Sequence, residues 1–508
     1  MVTQNGIKFA VHLITNHFGN LVSKVCENLL KRGPLSLEKL VKFTELTKEQ
    51  VKNSLLVLVQ HNCVQAFTFD EGDDREGAKA ITEYVALFDN IIHRLRFPKF
   101  LEIVSQELDD ECVELLEGLL RDGRLTLKQM VDRASQGKEN PVAMDFVQEN
   151  LRKLLAVRYV ERCPDPEPFV SKPVKEETTR KRGAKSAKTD VVPRQTMEQL
   201  IMEAAVLGEG IRFSLPSNTE SNADGETNAD GSPMIIDGTS QAESTLWRAN
   251  FEEFIRRLRR KALIENVRAR LDDGAAVILS AILESTKTAE KKVKMENSVP
   301  MSLDTIFTEV MKTEFGRTMT IDRVRASLIQ LGCPSRMLED SYSIDLKNVL
   351  ELARNEEVES IVLKRYGKDA YRIFRLLSKA GRLLETDKIA DSTFVEKKDA
   401  PKILSRLWTD NYLHMEKLAL STTKSFLLWK VNNPVLRVHV LDEMYHAALN
   451  LSLRMAFEQE KDEELLTIPK DKIVGPIQKR YKRLRNVWLL LGSSLMKLDD
   501  ALMLFHDF

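Results

Sequence analysis

From Phe18 the apolar residues Phe18, Leu21, Val22, Val25 and Leu29 fall at helical steps, which predicts an amphipathic helix. Gly33 supplies a helix stop that tolerates positive φ, and Pro34 prevents the helix from resuming. Ser36 is placed to cap a second helix through Val41. Thr47 is placed to cap a third, with Val51, Leu55, Leu58 and Val59 as its apolar side. Residues 63–69 then alternate weakly, like a strand, and Asp70-Glu71-Gly72-Asp73-Asp74 is a turn that returns a second. Three short helices followed by a β-hairpin is the winged-helix plan, whose third helix is the one suited to a major groove.

The phrase around the first turn recurs. Leu29-Leu30-Lys31-Arg32-Gly33-Pro34-Leu35-Ser36-Leu37 is echoed by Leu119-Leu120-Arg121-Asp122-Gly123-Arg124-Leu125-Thr126-Leu127. A longer version, with Gly381 as the stop and Thr386 as the cap, begins at Leu376. The second copy predicts a helical lead-in over 81–108, helices over 112–120, 126–133 and 146–155, and a wing strand over 158–162. Pro164, Pro166 and Pro168 close it. Helix returns from Leu246, with an arginine-rich stretch over 251–270 and a further helix over 275–283. A charged insertion over 290–296 follows, then helices capped by Ser302 and Thr320, as a third copy. A fourth copy has helices over 371–377 and 386–390, a third with Pro401 in its first turn, and wing strands over 412–416 and 426–430.

Beyond Pro434 the period changes. Leu441, Met444, Ala448, Leu451 and Met455 form a heptad seam, and Leu484, Val487, Leu491, Leu495, Leu498, Leu502 and Phe505 repeat it after a proline-bearing loop. The pattern predicts a mainly α chain with small β wings: tandem winged-helix domains plus a C-terminal antiparallel coiled-coil hairpin. Its divisions are winged helices over 1–80, 81–168, 246–355 and 356–432, a charged and partly disordered linker over 169–245, and the hairpin over 433–508.

Composition narrows the function. Lys and Arg number 76 and Asp and Glu 76, so nucleic-acid binding has to be local. The five cysteines are scattered, which points to reduced intracellular thiols and away from a metal finger. No secretory signal and no apolar run of membrane-spanning length occurs, so a soluble chain is expected. Within the linker, residues 172–194 hold eight basic residues against three acidic ones, whereas 214–245 hold six acidic residues and no Lys or Arg. The acidic part is expected to be disordered, because it has too little apolar surface to offset its ordering entropy.

Candidate chemistry is sparse. No phosphate-cradling glycine motif is present, His439 and His446 lack a third ligand, and the carboxylate pairs sit in turns and caps. No catalytic residue, cofactor, metal or small-molecule substrate is expected. What remains is phosphate attraction by cations on the four third helices: Lys48 and Lys52, Arg152 and Lys153, Arg323 and Arg325, Lys402 and Arg406. Arg180, Lys181 and Arg182 read equally as a nuclear-localisation signal, a phosphate-contacting loop or a solvated basic linker. None of these helices carries the Asn, Gln and Arg density of base reading, so DNA contact should be weak, sequence-tolerant and salt-sensitive.

Gly19-Asn20-Leu21-Val22, the Gly33-Pro34-Leu35 phrase and the run from Tyr366 to Leu377 (Tyr366-Gly367-Lys368-Asp369-Ala370-Tyr371-Arg372-Ile373-Phe374-Arg375-Leu376-Leu377) closely resemble the third-largest subunit of RNA polymerase III. The likeness covers essentially the whole chain. It implies a non-catalytic nuclear protein related to the large subunit of general transcription factor E. Such a protein would dock on the clamp of the largest polymerase subunit, pair with two smaller subunits and assist promoter opening for transfer RNA, 5S RNA and other short transcripts. Read without that resemblance, the winged helices equally suit a free-standing DNA-binding regulator. They also suit a scaffold of the cullin, proteasome-lid or membrane-trafficking kind.

Overall fold

The computed structural model describes residues 2–69, 81–136, 143–170, 197–205, 207–215, 245–287, 289–290, 293–333, 341–419, 425–462, 465 and 475–508. They form two compact units, one of Ala10–Phe254 and one of Thr3–Phe9 with Ile255–Phe508.

After helix α1 (Gln4–Phe18), the first repeat runs α2 (Asn20–Arg32), β1 (Leu35–Ser36), α3 (Leu37–Thr44), α4 (Lys48–Gln60), β2 (Val64–Phe69) and β3 (Ile81–Ala86). Strand β3 lies antiparallel between β1 and β2, with Leu35 opposite Tyr84 and Val64 opposite Ala86. Val25, Cys26, Leu29, Leu40, Val51, Leu58 and Phe67 fill the core beneath it. The stretch from Ile81, expected as a helical lead-in, is therefore the returning wing strand, and the first repeat extends beyond residue 80. Ile81, Thr82, Tyr84 and Val85 are β-branched or aromatic and fit a pleated, half-buried surface. Helix resumes at α5 (Phe88–His93) and α6 (Phe97–Glu107).

The second repeat comprises α7 (Asp110–Asp122), β4 (Leu125–Thr126), α8 (Leu127–Ser135), α9 (Met144–Ala156) and β5 (Val160–Arg162). Past it, β6 (Phe169–Val170) joins β2 in parallel. Parts of the expected linker are ordered: α10 (Met197–Ala205) buries Ile201 against Phe67, Val85, Leu87 and Val170, and α11 (Glu209–Arg212) follows. The run over 214–245 expected to be disordered lies almost wholly outside the described residues.

Leu246, expected to open a helix, instead opens strand β7 (Leu246–Ala249), which lies between β4 and β5. Trp247 stands opposite both Leu125 and Arg162 and is 1% exposed. The wing of the second repeat is thus completed by residues from beyond the linker. Helix α12 (Phe251–Arg270) starts only there. Its Phe254 ring stacks on Phe100 at 4.6 Å and on Tyr159 at 4.7 Å.

In the other unit the third repeat is α13 (Asp273–Ser285), β8 (Met301–Ser302), α14 (Leu303–Lys312), α15 (Ile321–Gln330) and β9 (Ser341–Tyr342). Its insertion is held by the arginine-rich helix. Arg259 donates to the Val293 and Met295 carbonyls at 2.7 and 2.6 Å, and Arg260 pairs with Glu290 at 2.7 Å. Next come α16 (Leu346–Tyr366), α17 (Lys368–Ala380), β10 (Leu384–Glu385), α18 (Thr386–Thr393), α19 (Ala400–Thr409), β11 (His414–Ala419) and β12 (Ser425–Lys430). The fourth repeat's sheet has the order β10-β12-β11. The hairpin is α20 (Asn433–Lys461) and α21 (Pro476–His506), with Val440, Met444 and Ala448 of one and Leu484, Leu495 and Leu502 of the other buried. Asn5 fastens the N-terminus to it, donating from its backbone and its side chain to the two Asp442 carboxylate oxygens at 2.8 Å each.

The expected caps divide. Thr47, Thr126, Ser302 and Thr320 each accept a backbone N–H at their helix starts. Ser36 holds the cap position without that bond, and Glu385 takes the place expected of Thr386. The Thr386 hydroxyl instead accepts from the Trp429 indole at 2.9 Å.

Gly33 and Gly123 hold matching positions, with φ of 82° and 84°, but differ in surroundings. A side chain at Gly33 would meet open space, whereas one at Gly123 would run into the Gln60 carbonyl and the His61 backbone. Gly33→Ala should therefore cost only backbone strain, about 1–3 kcal/mol. Gly123→Ala should lose at least about 2 kcal/mol more, because the end of α4 has to move. Melting of the full-length variants checks this; equal losses would show that the Gln60 contact carries no weight.

Candidate nucleic-acid interface

Helix α4 is the best-defined third helix. Thr47 and Gln50 form a reciprocal capping box at its start. Val51, Ser54, Leu55 and Leu58 turn inward, which leaves Lys48, Lys52 and Leu56 outward at four-residue spacing. Leu56 is 67% exposed. Among the described residues neither Lys48 nor Lys52 has an ion-pair partner.

The other third helices present engaged cations. On α9, Arg152 pairs with Glu149 and Lys153 with Asp109, both at 2.6 Å. The hydrogen bond that Lys153 donates to the Asp109 carboxylate raises its pKa above the usual lysine value. On α15, Arg323 lies 3.5 Å from Asp272 and Arg325 3.8 Å from Asp322. On α19, Lys402 pairs with Asp399 at 3.2 Å, and the Arg406 guanidinium sits 5.1 Å over the Tyr366 ring. Arg180, Lys181 and Arg182 lie outside the described residues.

Beside α9, a cleft of about 350 Å³ is walled by Glu111, Glu114 and Glu117 together with Arg121 and Arg133, a mixture poorly suited to a phosphate. Among the described residues no cluster of His, Cys, Asp and Glu of metal-holding size occurs, and all five cysteines are free thiols. No helix of the described residues is long and apolar enough to cross a membrane.

Two exposed apolar side chains were not singled out by sequence. Leu56 sits in the middle of a helix whose apolar period marks only its inward face. Phe394 is 91% exposed at the end of α18 with φ of 55°, a conformation that bulky residues rarely hold. Nothing in the residue pattern distinguishes Phe394 from an ordinary core aromatic; only its place on a turn does.

The C-terminal end of α4 is clamped within its unit. The Gln60 side-chain amide donates to the Asp122 and Arg124 carbonyls at 2.9 and 2.5 Å, and Arg124 donates to Asn62 at 2.9 Å. His61 follows, packed against the Phe18 ring at 4.5 Å, with Arg94 over the same ring at 4.6 Å. Burial lowers the His61 pKa to about 4, with further lowering by the Arg94 guanidinium and His17.

The sign follows from linkage. Unfolded histidine takes a proton near pH 6.5 and folded His61 refuses it until about 4, so its contribution to stability is complete above 6.5 and is lost as pH falls toward 4. The full chain should therefore melt at a lower temperature at pH 5 than at pH 7. Arg94→Met should bring the His61 titration midpoint back up by roughly one pH unit in an NMR titration. A midpoint near 6.5 in the unaltered chain would refute the account.

Known proteins resemble this chain along most of its length. The family model "RNA polymerase III subunit RPC82 helix-turn-helix domain" matches residues 8–68. "RNA polymerase III subunit RPC82" matches 149–357, and "POLR3C, C-terminal winged-helix domain" matches 358–431. The chain is 24% identical over 482 residues to the DNA-directed RNA polymerase III subunit RPC3 of Homo sapiens, covering 92% of this chain and 86% of that protein. The Danio rerio protein of the same name is 25% identical over 490 residues, covering 92% of this chain and 86% of its own length. The Dictyostelium discoideum protein is 21% identical over 669 aligned positions, covering 99% of each. With its winged-helix repeats and these successive matches, the chain belongs to the RNA polymerase III subunit RPC82 family.

Proposed function

We propose that this chain is a non-catalytic subunit of RNA polymerase III. It docks on the clamp of the largest subunit as part of a heterotrimer with two smaller subunits. In the nucleus it assists promoter opening at transfer RNA, 5S ribosomal RNA and other small RNA genes. The observation that carries this reading is the state of the third helices. Six of the eight described candidate cations, Arg152, Lys153, Arg323, Arg325, Lys402 and Arg406, already have an acidic or aromatic neighbour. Faces of that kind suit protein docking better than groove reading.

DNA contact is then auxiliary and centred on Lys48 and Lys52. Between the two wing strands of that repeat, the sequence over 70–80 holds Asp70, Glu71, Asp73, Asp74 and Glu76 against Arg75 and Lys79, a composition that repels a phosphate backbone.

Affinity purification of the tagged full-length chain with mass spectrometry tests the assignment. The other RNA polymerase III subunits should dominate the eluate, and their absence would sink the reading. For DNA, replacing both Lys48 and Lys52 by Glu should lower the slope of log affinity against log salt by about two, whereas Lys153→Ala should leave it unchanged. A slope unaffected by the double replacement would move the DNA contact elsewhere. A single site bound at high salt with no tolerated base change would favour a free-standing regulator.

A further inference from the structure

The hairpin presents a second surface whose features serve the fold poorly. On α21, Trp488, Leu489 and Leu490 are 40%, 62% and 66% exposed. A groove of about 480 Å³ opens beside them, lined by Met455 of α20 and by Tyr481, Leu484, Trp488, Leu489 and Gly492 of α21. From 473 to 498 the sequence contains no Asp or Glu and six Lys or Arg. Arg480 pairs with Asp462 at 2.6 Å. Lys479, Lys482, Arg483 and Arg485 are exposed and form no ion pair among the described residues.

Two details argue that this surface is built to be covered. Lys479, unpaired among the described residues, lies close to the helix start, where the macrodipole disfavours cations and acidic residues are the helpful choice. Gly492 lies in the helix interior, the least favourable residue there after proline, and a side chain at that position would meet open space. The fold itself gives no reason for a glycine; the close approach of another element does.

We propose that the groove receives an acidic amphipathic helix of another polymerase subunit, apolar side chains entering beside Gly492 and carboxylates meeting Lys482, Arg483 and Arg485. This rests on the subunit reading above and specifies one of its docking surfaces. Nucleic acid is the poorer fit: bases would stack on Tyr481 and Trp488 but leave Leu489 and Leu490 wet. A second copy of this chain is excluded by charge, because a self-complementary contact would set like cations against one another. An amphipathic helix in a groove satisfies the leucines and the cations together.

The test places a photo-crosslinking benzoylphenylalanine at Leu489 in the full-length chain, incorporated into purified polymerase. The crosslink should map to another subunit, on a peptide of net negative charge with apolar residues at helical spacing. Gly492→Leu, and separately the pair Arg483→Glu and Arg485→Glu, should each lower the salt-resistant retention of that subunit at least tenfold. Gly492→Ala should retain it and melt no lower than the unaltered chain. Crosslinks to nucleic acid, to this chain itself or to a basic peptide would overturn the proposal, as would no crosslink or undiminished retention in both variants. Flotation of the full chain with phosphatidylserine–phosphatidylcholine vesicles, abolished by Leu489→Ser with Leu490→Ser, would reassign the surface to a membrane. If the unaltered chain fails to co-purify with polymerase at all, the subunit reading itself fails; co-purification without the crosslink removes only this site.

Discussion

A strand arriving from beyond a long linker holds the first unit together. Leu246–Ala249 fills the gap between the two short strands of the second winged helix, so that wing exists only when the chain returns. The preceding side of the linker is anchored too, by Phe169–Val170 alongside the first wing. For a loop the length of 171–245 the closure entropy is about 4 kcal/mol, and doubling it would add only about 0.6 kcal/mol. A buried tryptophan removes about 150–250 Å² from water, or roughly 4–6 kcal/mol at 25 cal/mol per Å². Trp247 alone is thus of the size needed to offset closure.

The same return organises the charges. Glu161 on the wing accepts from Arg248 at 2.8 Å and is also paired with Arg212, which itself reaches Glu252 at 3.2 Å. A buried carboxylate between two guanidiniums contributes little net stability against well-packed apolar residues, but removing one partner leaves an uncompensated charge. The cluster is formed with β7 in the register that sets Glu161 opposite Arg248. Arg259 and Arg260 act alike in the other unit, where an arginine-rich helix that reads as a basic surface spends two guanidiniums pinning the insertion of the third repeat.

What was legible in the sequence was local. The glycine stops at 33, 123 and 381, the helices on either side and the heptad seams follow from periodicity and turn chemistry, which act within a few residues. The misread elements depend on partners far along the chain. Ile81–Ala86 and Leu246–Ala249 are short segments of mixed apolar and polar residues, too short for their period to decide between states until a sheet edge is present. The candidate cations show the same divide. Arg152 with Glu149 and Lys402 with Asp399 are neighbours at three-residue spacing, visible in advance, whereas Lys153 meets Asp109 across 44 residues. Equivalent glycines also diverge for this reason, since the crowding at Gly123 comes from Gln60.

Places where local rules fail without a local remedy therefore carry the most information about function. Thr386, displaced from the cap expected of it, is compensated by its bond to the Trp429 indole, so that departure is explained inside the fold. At the hairpin three departures coincide with no compensation among the described residues: an interior glycine, the unpaired Lys479 near a helix start and the exposed pair Leu489 and Leu490. Each weakens the isolated helix, through entropy, through the dipole and through wetted apolar surface respectively. One cause accounts for all three if the compensating atoms belong to another molecule. On α4 the departure is smaller, a single exposed leucine behind two unengaged lysines, of the kind the proposed phosphate contact would satisfy. The two surfaces differ in kind, one a helix face with charge to spare and the other a groove with apolar area to cover, and it is on that difference that we propose one for auxiliary DNA contact and the other for subunit assembly.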